Sequence, residues 1–171
     1  NHAEGNLRYG LHFMFSDRCS YSENVFRANG AGIAVMYTKH VTMTNNVFER
    51  NRGGAAFGLL LKDITDSELR GNRFVENSVG IMAEGVNRTR VEHNAFVRNG
   101  WAIKLMANSQ QNLFTGNRFE ANTFDVATNS RHNFSTFDAN WWDRYRGYDL
   151  DGDGHGDVPF RPVRLFSLVV E

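Results

Sequence analysis

The phrase Asn-x-Phe-x-x-Asn returns five times along this chain, and so regular a return excludes most closed folds. It reads Asn24-Val25-Phe26 with Asn29, Asn46-Val47-Phe48 with Asn51, Asn72-Arg73-Phe74 with Asn77, Asn94-Ala95-Phe96 with Asn99, and Asn117-Arg118-Phe119 with Asn122. Asn140-Trp141-Trp142 reads as a sixth, altered copy. The first Asn advances by 22, 26, 22, 23 and 23 residues, a period that belongs to stacked supersecondary units. Ahead of each copy stands a small residue followed by apolar alternation. These are Gly10-Leu11-His12-Phe13, Gly32-Ile33-Ala34-Val35, Gly58-Leu59-Leu60-Leu61, Gly80-Ile81-Met82-Ala83 and Ala102-Ile103-Lys104-Leu105. Period-2 alternation is that of a half-buried strand. A third short strand falls between them, with Tyr21, Met43, Leu69, Val91 and Phe114 as its inward residues.

One turn of chain therefore carries three short strands, and each can pair only with its counterpart in the next turn. The expected fold is all-β, a right-handed parallel β-helix of about six rungs stacked roughly 4.8 Å apart. Phe26, Phe48, Phe74, Phe96 and Phe119 should form an interior column. The Asn columns should sit at the corners, taking left-handed backbone and bonding amide to amide from rung to rung. A leucine-rich repeat shares the length and an Asn column, but here Phe holds the anchor and the Leu spacing does not match. Rungs are expected over 1–139 and an irregular Asp/Gly-rich tail over 140–171. The step from Asn46 to Gly58 is 12 residues where its equivalents are 8, which places a corner loop within Glu49–Phe57. A one-residue slip near Ser109–Asn112 reads as a corner bulge.

Composition narrows the class. With 41% hydrophobic and 13% aromatic residues in 171, a single core is easily filled. Formal net charge is zero and no Lys/Arg block occurs, so the footprint of a nucleic-acid binder is missing. No apolar run approaches the roughly 18 residues that span a bilayer. Cys19 is the single cysteine and cannot form an internal disulfide. The first residues read as mid-rung, with no cap ahead of Gly10, so earlier rungs and an export signal are expected upstream.

Two stretches could hold a metal. Asp149, Asp151 and Asp153, then Gly154, His155 and Asp157, follow the spacing of a calcium loop, in which His155 would offer its carbonyl. Phe160 stands where that loop needs a bidentate Glu, so the stretch is either a weakened Ca²⁺ site or an Asp/Gly turn. On the second stretch, inward Leu11 and Phe13 leave His12 and Met14 facing out, and Met36 occupies the outward column of Met14 one rung on. Two thioethers and an imidazole suit Cu(I); outward Met beside Phe15 and Tyr37 equally suits an apolar docking patch. A lyase or epimerase needs an acid–base cluster, and Asp63 and Asp66 with Lys62 and Lys39 are the nearest approach to one.

Tyr9-Gly10-Leu11-His12-Phe13-Met14-Phe15-Ser16-Asp17 and Ala31-Gly32-Ile33-Ala34-Val35-Met36-Tyr37-Thr38 together resemble the paired rungs of the NosD family, periplasmic maturation factors of nitrous oxide reductase. The stretch from Asn140-Trp141-Trp142-Asp143 through Tyr148–Phe160 resembles the family's C-terminal signature. The Asn/Phe rungs alone are shared by many carbohydrate-active β-helices. The resemblance implies a non-enzymatic periplasmic protein that works with an ABC ATPase and permease, a copper chaperone and nitrous oxide reductase in copper-centre assembly. It also implies that His12, Met14 and Met36 hold copper(I) transiently. A uronate epimerase or polysaccharide lyase, and a structural β-helix used in adhesion, are the competing functions.

Overall fold

One phenylalanine per turn sets the spacing of the whole molecule. The computed structural model describes residues 1–130 and 134–163; the last eight positions assigned to the tail, 164–171, lie outside the described residues. Every regular element among the described residues is a β-strand, and every strand pairs in parallel with its counterpart one turn away. The chain is a parallel β-solenoid of about six turns with three sheets. A phenylalanine sheet of seven strands runs from His2–Glu4 to Trp141–Trp142. A long sheet is built from Tyr9–Met14, Ala31–Lys39, Phe57–Thr65, Val79–Glu84, Trp101–Leu105 and Phe124–Ala127. A third sheet runs from Ser20–Ser22 to Thr136–Asp138.

Register follows the repeated phrase. Phe26, Phe48, Phe74, Phe96 and Phe119 are direct cross-strand partners, with ring centroids 5.4, 4.8, 4.9 and 5.0 Å apart and nearly parallel planes. Trp142 continues the column at 4.1 Å from Phe119, and Phe160 lies against Trp142 at 4.8 Å. Met43, Leu69, Val91 and Phe114 fill the third-sheet side of the core, and Ile33, Val35, Leu59, Leu61, Ile81, Ile103 and Leu105 fill the long-sheet side. The glycine at the second position of the first four long-sheet strands, Gly10, Gly32, Gly58 and Gly80, answers a clearance requirement. A Cβ on Gly58 would stand 2.8 Å from the Gly80 carbonyl oxygen and 3.2 Å from the Phe74 ring.

The corners are closed by two asparagine ladders. In the first, Nδ2 of Asn24, Asn46, Asn72 and Asn94 donates to Oδ1 of the Asn one turn on, at 2.9 to 3.1 Å. The backbone N–H of the same residue donates to the same oxygen. The remaining Nδ2 hydrogen of Asn72 reaches back to the Met43 carbonyl at 2.9 Å. Asn29, Asn51, Asn77 and Asn99 repeat the arrangement at the next corner. Each amide is thus fully used while buried, which avoids the penalty of an unpaired polar group.

The left-handed backbone is not where the sequence placed it. The residue before each Asn carries it: Glu23, Asn45, Gly71, His93 and Gly116 at one corner, and Ala28, Arg50, Glu76, Arg98 and Ala121 at the other. Turning the chain one residue early aims the Asn amide inward along the stacking axis, so ordinary residues accept strain of about 1 kcal/mol or more each. At the third corner, hydroxyls share the role of Asn. The Ser67 and Ser109 hydroxyls accept the Val41 and Val86 N–H groups, and Asn112 accepts that of Thr89. The inserted loop bulges at Arg52–Ala56, and Arg50, Arg52 and Arg98 all close on the Glu76 carboxylate at 3.2 Å.

Truncating Phe74 to Ala should cost about 3–5 kcal/mol. Asn72→Ala should cost roughly 2–3 kcal/mol, because it leaves the N–H groups of Asn46 buried without an acceptor. Urea unfolding of the two variants measures both.

Candidate metal centre

Met14 and Met36 are register partners on the first two strands of the long sheet, and His12 pairs with Ala34 one step earlier. Leu11 and Phe13 pack against the core, so alternation sends His12 and Met14 out, and Met14 is 37% exposed. Strand spacing of about 4.8 Å sets the separation of the two methionine backbones. The thioethers therefore leave one face side by side. Immediately after each Met the chain turns in left-handed backbone, at Phe15 (φ 53°) and Tyr37 (φ 54°). Those two rings stack outside at 5.2 Å and 12°, walling one side of the pair.

The sequence does not reveal what surrounds the pair. The His12 ring packs on Tyr9, centroids 4.8 Å apart, so residues three apart share the outer face. Strict alternation breaks at Gly10, which has no side chain to place. Ala34, expected to leave room beside His12, is fully covered; its register neighbours His12 and Leu60 flank it. Lys62 is the register partner of Met36 on the other side, and it pairs with Glu84 at 3.3 Å. That pairing holds the Lys62 ammonium above its ordinary pKa and partly neutralises it. Asp17 clamps the two rungs just past the methionines, accepting the Lys39 N–H at 3.0 Å and the Thr38 hydroxyl at 3.1 Å. Two thioethers with an imidazole near by on an open face are soft donors, the kind of ligand that suits Cu(I).

The Asp/Gly loop is exposed and built from turns. Oxygens of Asp149, Asp151 and Asp153 converge to within 4.8 Å of one another. Asp149 also accepts the N–H groups of Gly152 and Gly154, and Asp153 accepts that of His155. Asp157, expected as a fourth carboxylate, stands outside this group and accepts the Leu150 N–H at 2.7 Å. Nothing brings the His155 side chain to the three carboxylates. Three of the four residues considered for acid–base chemistry are drawn into ion pairs among the described residues, and Asp63 is not. Asp66 holds Arg88 at 2.7 Å, Lys62 holds Glu84, and Lys39 lies 3.9 Å from Asp17.

With this geometry in view, the known proteins are informative. Residues 1–147 match the family model described as NosD, periplasmic copper-binding protein. The chain belongs to the NosD family. The chain is 32% identical over 134 residues to a probable ABC transporter binding protein NosD of Pseudomonas aeruginosa, covering 77% of this chain and 28% of that protein. It is 31% identical over 147 residues to the protein of the same description from Stutzerimonas stutzeri, covering 75% and 33%. The chain thus spans about a third of the length of these NosD relatives. Among solved structures, the A-module of the Azotobacter vinelandii mannuronan C-5 epimerase AlgE4 superposes with a TM-score of 0.61 at 18% identity, over 82% of this chain and 51% of that one; this likeness is one of fold. The family's description is of a periplasmic, copper-binding protein, and its relatives are named as binding proteins of an ABC transporter rather than as enzymes. No helix among the described residues is long and apolar enough to cross a membrane.

The Asp17 clamp gives a pH signature. Its carboxyl sits below the usual 3.8, chiefly because of the Lys39 N–H; burial opposes that effect, and the Thr38 hydroxyl adds to it more weakly. A depressed value means that the clamp stabilises the rung pair above the unfolded pKa and is lost as pH falls through the lower folded value. The Lys39 amide proton shift should therefore titrate with a midpoint below 3.8. In Asp17→Asn that titration should vanish, which NMR would show.

Proposed function

We propose that the chain is part of a periplasmic accessory protein that works with an ABC transporter in assembling the copper centre of nitrous oxide reductase, taking up and passing on Cu(I) at Met14, Met36 and His12. The observation that carries this reading is the register pairing of the two methionines on an open face. Two thioethers bind Cu(I) without stabilising Cu(II). An exposed site with few ligands lets the ion leave for the next carrier, whereas a closed four-ligand cage retains it. His12 completes the set by turning from Tyr9 toward Met14, trading an aromatic contact for a bond to copper. The cargo would arrive from a copper chaperone and leave toward the reductase. The ATPase and permease would supply the work, and the chain would meet the membrane only through the permease.

A catalytic reading has less support. Of the two carboxylates considered for a lyase or epimerase, Asp66 is taken up by Arg88 and the Lys39 considered beside them lies toward Asp17, and the epimerase likeness is one of fold alone.

Cu(I) titration under reducing conditions tests the site. Met14→Ala and Met36→Ala should each weaken binding at least tenfold, and the double variant should abolish it, with unfolding midpoints unchanged. Equal affinity in wild type and double variant would leave the pair as part of an apolar surface.

We further propose that Asp149, Asp151 and Asp153 take a hard cation, most simply Ca²⁺, with weak affinity. Three exposed carboxylates that already accept N–H bonds form an incomplete shell beside the usual 6–8 oxygens. Calorimetry should give a dissociation constant of about a millimolar or weaker, lost in Asp151→Asn. Absence of heat at ten millimolar calcium would make the stretch a turn only.

A further inference from the structure

The three sheets share one core but present different outer faces. The third sheet shows Thr42, Glu68, Arg90, Leu113 and Thr136 in one outer column and Thr44, Arg70, Glu92, Thr115 and Asp138 in the other. The phenylalanine sheet mixes Val25, Val47, Ala95 and Trp141 with Arg73 and Arg118, and Val75 and Val97 with Arg27, Glu49 and Glu120. The long sheet interrupts its apolar columns with fewer charges than either. One outer column reads Tyr9, Ala31, Phe57, Val79, Trp101, Phe124, and the next reads His12, Ala34, Leu60, Met82, Lys104, Ala127. Phe57, Leu60, Met82, Trp101 and Phe124 are only half-buried, and none packs against the core. This apolar surface therefore lies outside, where a solenoid gains nothing from it.

Its charges are few and unequal. Lys62 is neutralised by Glu84. The Lys104 ammonium lies 3.9 Å over the Trp101 ring, and no carboxylate among the described residues pairs with it. Partial burial pulls its pKa below the ordinary lysine value, with no anion compensating. A half-desolvated cation set in an apolar face gains from a carboxylate brought by the partner that covers it.

Size selects the kind of partner. Six strands spaced about 4.8 Å cover ~24 Å along the solenoid axis, and the outer columns from Tyr9 to Met14 span ~16 Å across it. That area, ~400 Å², is about half of what each side of a standard protein–protein interface buries. It fits a single α-helix about 10–12 Å wide, and ~24 Å is the length of about 16 helical residues.

We propose that the outer face of the long sheet is the seat of an amphipathic helix of a partner protein, about four turns long. Its apolar stripe runs along the solenoid axis, and an Asp or Glu in a terminal turn pairs with Lys104. This surface does not depend on copper binding. Met14 and Met36 lie in a different column from Leu60, Met82 and Lys104; His12 shares that column but stands two strands from Leu60 and four from Lys104, so the two readings fail separately.

The test titrates the chain with a 16-residue synthetic amphipathic helix bearing a Leu/Ala stripe and one Glu in its last turn, followed by fluorescence. Trp101 emission should move to shorter wavelength, a change missing in Trp101→Phe. Replacing the peptide Glu by Lys should weaken binding at least tenfold, and Lys104→Glu should reverse that preference. Leu60→Glu should abolish binding of either peptide while Cu(I) affinity and the unfolding midpoint stay unchanged. Binding indifferent to the sign of the peptide charge, or no Trp101 response, would overturn the proposal. It would equally be overturned if Leu60→Glu and Lys104→Glu instead abolished self-association in sedimentation, or binding to anionic phospholipid vesicles, with the peptides inert.

Discussion

The side-chain amide of asparagine is the group on which the rest of this solenoid depends. A parallel β-helix must turn a corner three times per rung, and each corner takes backbone N–H groups out of the sheet. Here Oδ1 of one Asn accepts a backbone N–H and a side-chain Nδ2–H from the Asn of the neighbouring rung, and Nδ2 ties the next Asn and a neighbouring carbonyl. That exchange fixes rung spacing at the two corners that flank the phenylalanine sheet. The Phe rings can then stack at 4.8 to 5.4 Å, and a Cβ no longer fits at Gly58. Remove the ladder and both the left-handed residues before each Asn and the close packing above them lose what holds them in place.

Most of this was readable from the chain because a solenoid writes its contacts as a period. Phe26 must lie on Phe48 if Asn24 lies on Asn46, and the same logic set Met14 on Met36. What the period could not show is geometry within a rung. Nothing in Glu23 or Ala28 announces left-handed backbone. That strain is imposed by the Asn that follows, which must aim inward. The break in alternation at Gly10 puts Tyr9 on the outer face against the His12 ring, an aromatic support that the spacing of the phrases does not show. In the acidic loop, spacing suggested four carboxylates about one ion. Local turns satisfy Asp157 at Leu150 instead and leave three together.

The same scaffold separates roles by face. Ion pairs occupy the corners, where Glu76 gathers three arginines and Asp66 holds Arg88. The long sheet turns mostly apolar side chains outward with few charges among them, and its first two rungs place the thioethers beside that surface. The proposed carrier role calls for both a soft donor set open to solvent and a surface that partners can cover. On the long sheet the methionine pair and the apolar face lie next to each other, so a partner seated on the face would stand beside the methionines.

X-ray absorption at the copper edge of the Cu(I)-loaded chain tests the central claim most directly. The account predicts a low-coordinate Cu(I) whose nearest shell holds two thioether sulfurs and one imidazole nitrogen, with the sulfur signal halved in Met14→Ala and in Met36→Ala alike. A shell of nitrogen and oxygen only, or a sulfur signal untouched by both substitutions, would contradict it.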